Sequence, residues 1–199
     1  MTWEGTDESI VVEYTTLVEI ASQWVLGKYK HNSRHLINSL EWLDRIAPEA
    51  EEHVRLATVT HDMERAFPGP DMPVWSGWED YDYYVAHSHR SARIVGEWLT
   101  AQGAVAELRE KVEALIRVHE FGGWPEADLV QAADSLSFLD VNVELFLDYV
   151  RKGKFTAEQV RAKFLYSHTR VRIDRIQELT RPMLESANAR LDALLTVSV

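Results

Sequence analysis

The feature that most constrains the fold of this chain is the spacing of its apolar residues, which recur at three- and four-residue steps over most of the sequence. In the segment 105–120, for example, Leu108, Val112 and Leu115 fall on one face of a helix. Long alternating runs of β-branched residues and Asn-Gly or Asp-Gly turns, which would indicate strands and hairpins, do not occur. The sequence therefore predicts an all-α fold, a single-domain bundle of about seven helices.

Capping and helix-breaking residues give the expected boundaries. Thr6 is expected to cap a first helix over 7–26, and Thr156, with Gln159 three residues later, is expected to cap a last long segment that Pro182 interrupts. The segment 67–81 is rich in proline and aromatic residues and is expected to form a packed loop. The predicted organisation has three parts, an N-terminal helix packing on the core (1–27), a helical core (28–150) and a C-terminal helical extension (151–199).

Composition excludes several classes of protein. The chain has no cysteine, so disulfides, thiolate zinc sites, iron–sulfur clusters and a cysteine nucleophile are ruled out. Its 21 basic and 32 acidic residues give a net charge of −11, which disfavours binding to a nucleic-acid polymer. No apolar run is long enough for a membrane span, and the first residues lack the pattern of a signal peptide, so a cytoplasmic location is expected.

Polar residues interrupt the apolar faces of several predicted helices. His87, His119 and Asp134 each lie in an otherwise apolar stripe, and His61-Asp62 ends another helix. A single buried histidine is more often a hydrogen-bonded core residue than a ligand, but a buried ionised aspartate is costly unless it is paired or binds a metal. Together these side chains indicate a shared divalent transition metal, with Mn, Fe, Co, Ni and Zn as the candidates.

The order of these residues resembles the HD-domain superfamily of metal-dependent phosphohydrolases over about residues 28–145. A His-x-x-Arg segment comes first (His31 and Arg34), and the His-Asp doublet, two single histidines and a late aspartate follow. By this resemblance the metal ligands are His31, His61, Asp62, His87, His119 and Asp134. Two positions have a competing histidine, because His35 can replace His31 and His89 can replace His87.

The resemblance implies a hydrolytic reaction at one or two metal ions. His31, His61, Asp62 and Asp134 would hold one ion, His87 and His119 a second, and Asp62 would bridge them. A metal-bound hydroxide would then attack a phosphate ester or anhydride of a small metabolite or nucleotide. Glu64, Glu120 and Asp140 are candidate outer partners of the ligands that the sequence does not assign.

Arginines beside the candidate ligands are expected to bind the phosphate, because a guanidinium matches phosphate oxygens bidentately. Arg34 and Arg65 are the candidate catalytic residues besides Asp62, and Arg90 is a further candidate for binding the substrate. Arg170 and Arg172, in the C-terminal extension, are less favoured candidates for binding the phosphate.

Two other functions stay open at this point. Some HD-type proteins with all six ligands hold two irons and cleave a C–C or C–P bond with dioxygen. The other hypothesis is a helical binding module without metal or catalysis. The long C-terminal segment also leaves a homo-oligomer open. The sequence does not identify the substrate or the metal.

Overall fold

Helices make up most of the chain in the computed structural model, which describes residues 15–77 and 80–197. The α-helices, in chain order, are α1 (Leu17–Lys28), α2 (Ser33–Ile46), α3 (Glu52–Thr60), α4 (Tyr81–Ala101), α5 (Ala106–Arg117), α6 (Pro125–Ser137), α7 (Val143–Arg151), α8 (Ala157–Thr169) and α9 (Asp174–Val197). A 3₁₀ turn (Met63–Ala66) follows α3, and a π turn (Phe138–Asn142) joins α6 to α7. No strand occurs in the described ranges, which confirms the all-α prediction.

The helix count in these ranges is slightly higher than predicted. If α6, the π turn and α7 are counted as one continuous helix, the described chain has eight helices rather than about seven. The difference lies in the C-terminal segment, where the chain turns between α8 and α9 and buries Val171 there. Pro182, which was expected to interrupt this segment, lies inside α9.

Helix capping follows the sequence signals where the structure describes them. The Thr156 hydroxyl accepts a hydrogen bond from the Gln159 N–H at 3.2 Å, and the Thr156 N–H donates to the Gln159 side chain at 2.9 Å. This reciprocal pair satisfies backbone donors at the start of α8. The same arrangement of Thr16 and Glu19 begins α1. The cap expected at Thr6 lies outside the described residues.

The core consists of three apolar clusters. The largest joins α1 to α6 and includes Leu36, Leu43, Val59, Leu99 and Ile116, all fully buried. A second joins the π turn to the three C-terminal helices, and a third packs α6 against the start of α9. The C-terminal helices are therefore anchored directly on α6 and the π turn.

The loop after the 3₁₀ turn packs on the helices, as expected for its described part. Asp71 pairs with Arg90 at 3.0 Å and with Arg93 at 2.7 Å, both on α4. Trp75 packs its ring against Phe155, just before α8. In residues 15–77 and 80–197, no helix has the combination of length and apolar content that crossing a bilayer requires.

Candidate metal centre

Five helical segments bring polar side chains to one place inside the bundle. His35 lies on α2, His61 and Asp62 directly follow α3, His87 lies on α4, His119 follows α5, and Asp134 lies on α6. The core surrounds all six, and each is buried. They form three overlapping groups in which the potential ligand atoms lie within 4.8 Å of one another. The groups are His35/His61/Asp62, His61/His119/Asp134 and Asp62/His87/His119.

The imidazole Nε2 atoms and the carboxylate oxygens face each other across short distances. The Oδ1 atom of Asp134 lies 3.1 Å from His35 Nε2 and 3.5 Å from His61 Nε2. The Oδ1 atom of Asp62 lies 3.0 Å from His87 Nε2 and 3.8 Å from His119 Nε2. The aspartates thus each face two imidazoles, and Asp62 belongs to two of the three groups.

The other nitrogen of each imidazole is held from outside the cluster. His61 Nδ1 lies 2.8 Å from the carbonyl oxygen of Thr58, and His119 Nδ1 lies 2.8 Å from that of Ile116. A carbonyl oxygen only accepts, so both Nδ1 atoms carry the hydrogen, and in the neutral rings both Nε2 atoms carry a lone pair.

The Nδ1 atoms of the other two histidines are also held from outside the cluster. His87 Nδ1 lies 2.9 Å from the carboxylate of Glu64. His35 Nδ1 lies 2.9 Å from the Ser137 hydroxyl, whose own hydrogen is donated to the His35 carbonyl oxygen. All four imidazoles therefore turn Nε2 toward the centre, which is the arrangement that outer partners impose on metal-binding histidines.

Electrostatics at the centre favour a positive charge on His61 and disfavour one on His119. Burial lowers the pKa of His61, but the negative charges of Asp134 and Asp62 outweigh it and raise the pKa to about 9. Burial and the neighbouring His61 lower the pKa of His119 to about 4. Protons and metal ions compete for the same nitrogen atoms, so the carboxylates that favour a proton on His61 also favour a metal.

Both aspartates are held ionised despite their burial. Burial alone would raise the pKa of Asp62, but Arg65 and His87 hold it well below its ordinary value. For Asp134 burial is again opposed, here chiefly by Arg170 and His61, and its pKa is also well below the ordinary value. The cluster therefore presents two ionised carboxylates among four imidazoles.

This donor set fits a divalent transition metal. It combines imidazole nitrogen with carboxylate oxygen, which suits Mn, Fe, Co, Ni or Zn better than an ion that prefers oxygen alone. The Nε2 atom of His61 is buried and makes no hydrogen bond, although Asp134 Oδ1 lies 3.5 Å away, and a buried polar atom without a hydrogen-bond partner needs an explanation. A metal ion at the centre would supply that partner.

The structure brings together five of the six residues assigned as ligands from the sequence, and His35 stands in the place given to His31. α2 begins at Ser33, so His31 lies in the turn before it, with its ring against Tyr29. His31 belongs to none of the three groups, although it lines the neighbouring cavity. The alternative ligand His89 is exposed, because two residues along a helix turn the side chain to the opposite face from His87.

A cavity of about 330 Å³ opens beside the cluster. His35, Asp62 and Asp134 form its polar end, where the cationic side chains of Arg65 and Lys163 also line the wall. Arg65 Nε lies 3.3 Å from Asp62 Oδ2. The cluster is therefore accessible to a small ligand, and two cations lie where that ligand would meet it.

Two arginines expected to bind substrate are engaged elsewhere. Arg34 has a side chain that is 61% exposed and pairs with Glu41 at 2.7 Å, since its position on α2 turns it outward. The Arg90 guanidinium donates to the Glu64 carboxylate at 3.0 Å and to the Phe67 carbonyl oxygen at 2.7 Å. Neither lines the cavity. Arg90 instead steadies Glu64, the partner of His87.

Lys163 was not among the residues expected at the site, and Arg170 was a minor candidate. Arg170 has a side chain only 6% exposed and pairs with both Asp134 and Glu120. Its Nε also donates to the Ser135 hydroxyl at 2.8 Å. Both cations lie in the segment predicted to be a C-terminal extension, and no local sequence pattern indicated that they reach the site. Of the unassigned outer partners, Glu64 holds His87, Glu120 pairs with Arg170, and Asp140 accepts from Asn38 and Trp42.

The chain was also compared with known proteins. No protein-family model, no curated protein and no solved structure matches it.

Proposed function

We propose that this protein is a metal-dependent phosphohydrolase acting on a phosphate ester or anhydride of a small molecule. The observation that carries the proposal is the convergence of four anchored imidazoles and two ionised carboxylates beside a cavity that Arg65 and Lys163 line. The nitrogen and oxygen donors suit a metal ion, and the two cationic side chains suit an anionic ligand.

The ligands are assigned from the three groups and from the contacts of Asp134 with His35 and His61. His35, His61, Asp62 and Asp134 would hold one ion, and Asp62, His87 and His119 would hold a second. When bound, the metal would lower the pKa of a water molecule and neutralise charge on the phosphoryl oxygens.

The side chains around the cluster have separate tasks in this proposal. Arg65 would bind phosphoryl oxygens through its guanidinium while its contact with Asp62 keeps it at the polar end of the cavity. Lys163 would add a point charge from α8. Local cations are needed because the net charge of −11 repels an anionic substrate from the protein as a whole. Arg170 would act indirectly by holding Asp134 in place.

A di-iron oxygenase is the second candidate, because the cluster has ligands for two ions. Two of the three ligand groups share Asp62, and a pair of irons would need such a set. The cations at the polar end of the cavity favour the hydrolase, since cleavage of a C–C bond has no general need for them.

The test is metal analysis of the purified protein, combined with a panel of phosphate esters, nucleotides and pyrophosphates. We expect bound Mn, Co, Ni or Zn, and phosphate release that Asp62→Ala abolishes while helix content by circular dichroism is kept. His89→Ala, an exposed histidine on α4, is the matched control and should keep both metal and activity.

Three outcomes would contradict the proposal. Iron content with oxygen consumption and no phosphate release would favour the oxygenase. Protein that binds no metal, even with added Mn or Co, would favour a non-catalytic binding module. Normal turnover by Asp62→Ala would show that the cluster is not the active site.

A further inference from the structure

Five aromatic rings form part of the wall of the cavity beside the metal cluster. Phe146 lies at the centre, with ring centroids 5.0 Å from Phe138, 5.4 Å from Tyr149 and 6.1 Å from Phe155. Trp75 packs on Phe155 at 5.4 Å. All five rings line the cavity, and we call them the aromatic wall.

The wall joins parts of the chain that are far apart in sequence. Trp75 comes from the loop before α4, Phe138 from the π turn, Phe146 and Tyr149 from α7, and Phe155 from the turn before α8. Four of the rings are half-buried, and each ring packs on at least one other. Half-buried rings that line a cavity are favourable contact surface for an apolar ligand group.

Among the described residues that line the cavity, the acidic side chains are Asp62, Glu120 and Asp134, which belong to the metal cluster or pair with Arg170 rather than to the aromatic wall. Two lysines of the described chain contact the wall. Lys154 is exposed and places its Nζ 4.1 Å from the Tyr149 ring centroid, and Lys163 places its Nζ 5.0 Å from the Phe138 ring centroid. The faces of these rings offer no hydrogen bond to a hydroxyl, and burying a hydroxyl without a hydrogen bond is unfavourable.

We propose that the substrate is a phosphate monoester whose organic group is a single uncharged aromatic ring, or an apolar group of similar size, packed against the aromatic wall. This rests on the proposed function, because the phosphate is assigned to the cluster with Arg65 and Lys163. The volume of about 330 Å³ is near the lower end of the range for ligand pockets, which is ample for a phosphate with one ring.

Binding of two phosphonates tests the wall without turnover. Phenylphosphonate and methylphosphonate present the same anion to the cluster and differ in the ring, and calorimetry on the full-length, manganese-loaded protein would compare them. We expect phenylphosphonate to bind at least about tenfold more tightly, because burying a ring removes a large apolar area from water.

Variants in the wall should remove this preference selectively. Phe155→Ala should weaken phenylphosphonate binding about fivefold or more and leave methylphosphonate binding within about twofold. Phe155→Leu keeps an apolar side chain if the alanine variant fails to fold, and it should show a smaller loss of the same kind. Trp124→Ala, an exposed aromatic residue that does not line the cavity, is the control and should change neither affinity.

The possible results separate the two proposals. Equal affinities for the two phosphonates in the unmodified protein, or a preference that both Phe155 variants keep in full, would overturn the aromatic-ring proposal. A phenyl preference that Phe155→Ala removes, with phenyl phosphate hydrolysed faster than glycerol phosphate, would support both. The same preference without hydrolysis of any ester would support the ring site and overturn the phosphohydrolase. If neither phosphonate binds, both proposals fail.

Discussion

Whether a histidine of the cluster can bind metal depends on which imidazole nitrogen faces the centre. His35 is fixed by the Ser137 hydroxyl, so its Nε2 lies 3.1 Å from Asp134. His31 belongs to none of the three ligand groups. We predict that His35→Ala lowers metal affinity at least about 100-fold, because outer-partner mutations alone cost 10- to 100-fold and this one removes a ligand. His31→Ala should keep the metal-to-protein ratio measured by elemental analysis. A normal ratio in His35→Ala, or loss of metal in His31→Ala, would contradict the assignment.

Arg170 is the single residue on which the buried carboxylates depend most. It pairs with Asp134 and Glu120, and its side chain is only 6% exposed. We predict that Arg170→Met lowers the free energy of unfolding by about 3–5 kcal/mol, because two buried carboxylates lose their partner. Arg172→Met is the matched control, since Arg172 pairs with Asp128 but is 55% exposed, and we expect a change of less than about 1 kcal/mol. Urea denaturation measures both, and equal losses in the two variants would contradict the role of Arg170.

At the scale of helices, α8 carries Lys163 into the site, and Arg170 directly follows its last residue. Its first turn is closed by the capping pair of Thr156 and Gln159. We predict that Thr156→Ala lowers the free energy of unfolding by about 1 kcal/mol, because a backbone N–H loses its partner. Thr156→Ser keeps a hydroxyl acceptor and should stay close to the unmodified protein by the same urea measurement. If the serine variant loses as much stability as the alanine variant, the hydrogen bond is not what stabilises this turn.

Helical spacing and caps predicted most elements because these signals are local. Thr156, the breaks at Gly122-Gly123 and the interruption at 67–81 all follow from residues within a few positions. The choice between His31 and His35 did not, since it depends on α2 beginning at Ser33. The π turn over Phe138–Asn142 also carries no periodic signal, because its extra residues change the helical phase. Lys163 and Arg170 reach the site through contacts between distant segments, which sequence spacing does not encode.

On the scale of the whole molecule, a strongly acidic protein keeps a cationic side chain, Lys163, in its cavity. Burial lowers the pKa of Lys163 to about 8 from 10.5, although Glu120 and Asp134 oppose the shift and Arg170 and Arg65 add to it. Between these two values the unfolded chain holds a proton that the folded protein has lost. The free energy of unfolding therefore gains a contribution from Lys163 that increases with pH in this window.

Lys163→Met isolates this contribution, because the other titrating groups, His61 among them, remain in both proteins. We predict that, between about pH 7.5 and pH 9.5, the unmodified protein gains about 1–2 kcal/mol of unfolding free energy relative to Lys163→Met. This energy is smaller than the full pKa shift would give, because water in the cavity screens the charge of Lys163. Urea denaturation at several pH values measures the difference. Parallel stability curves for the two proteins would mean that Lys163 titrates as an ordinary lysine, and its charge would then persist at the polar end of the cavity well above pH 8.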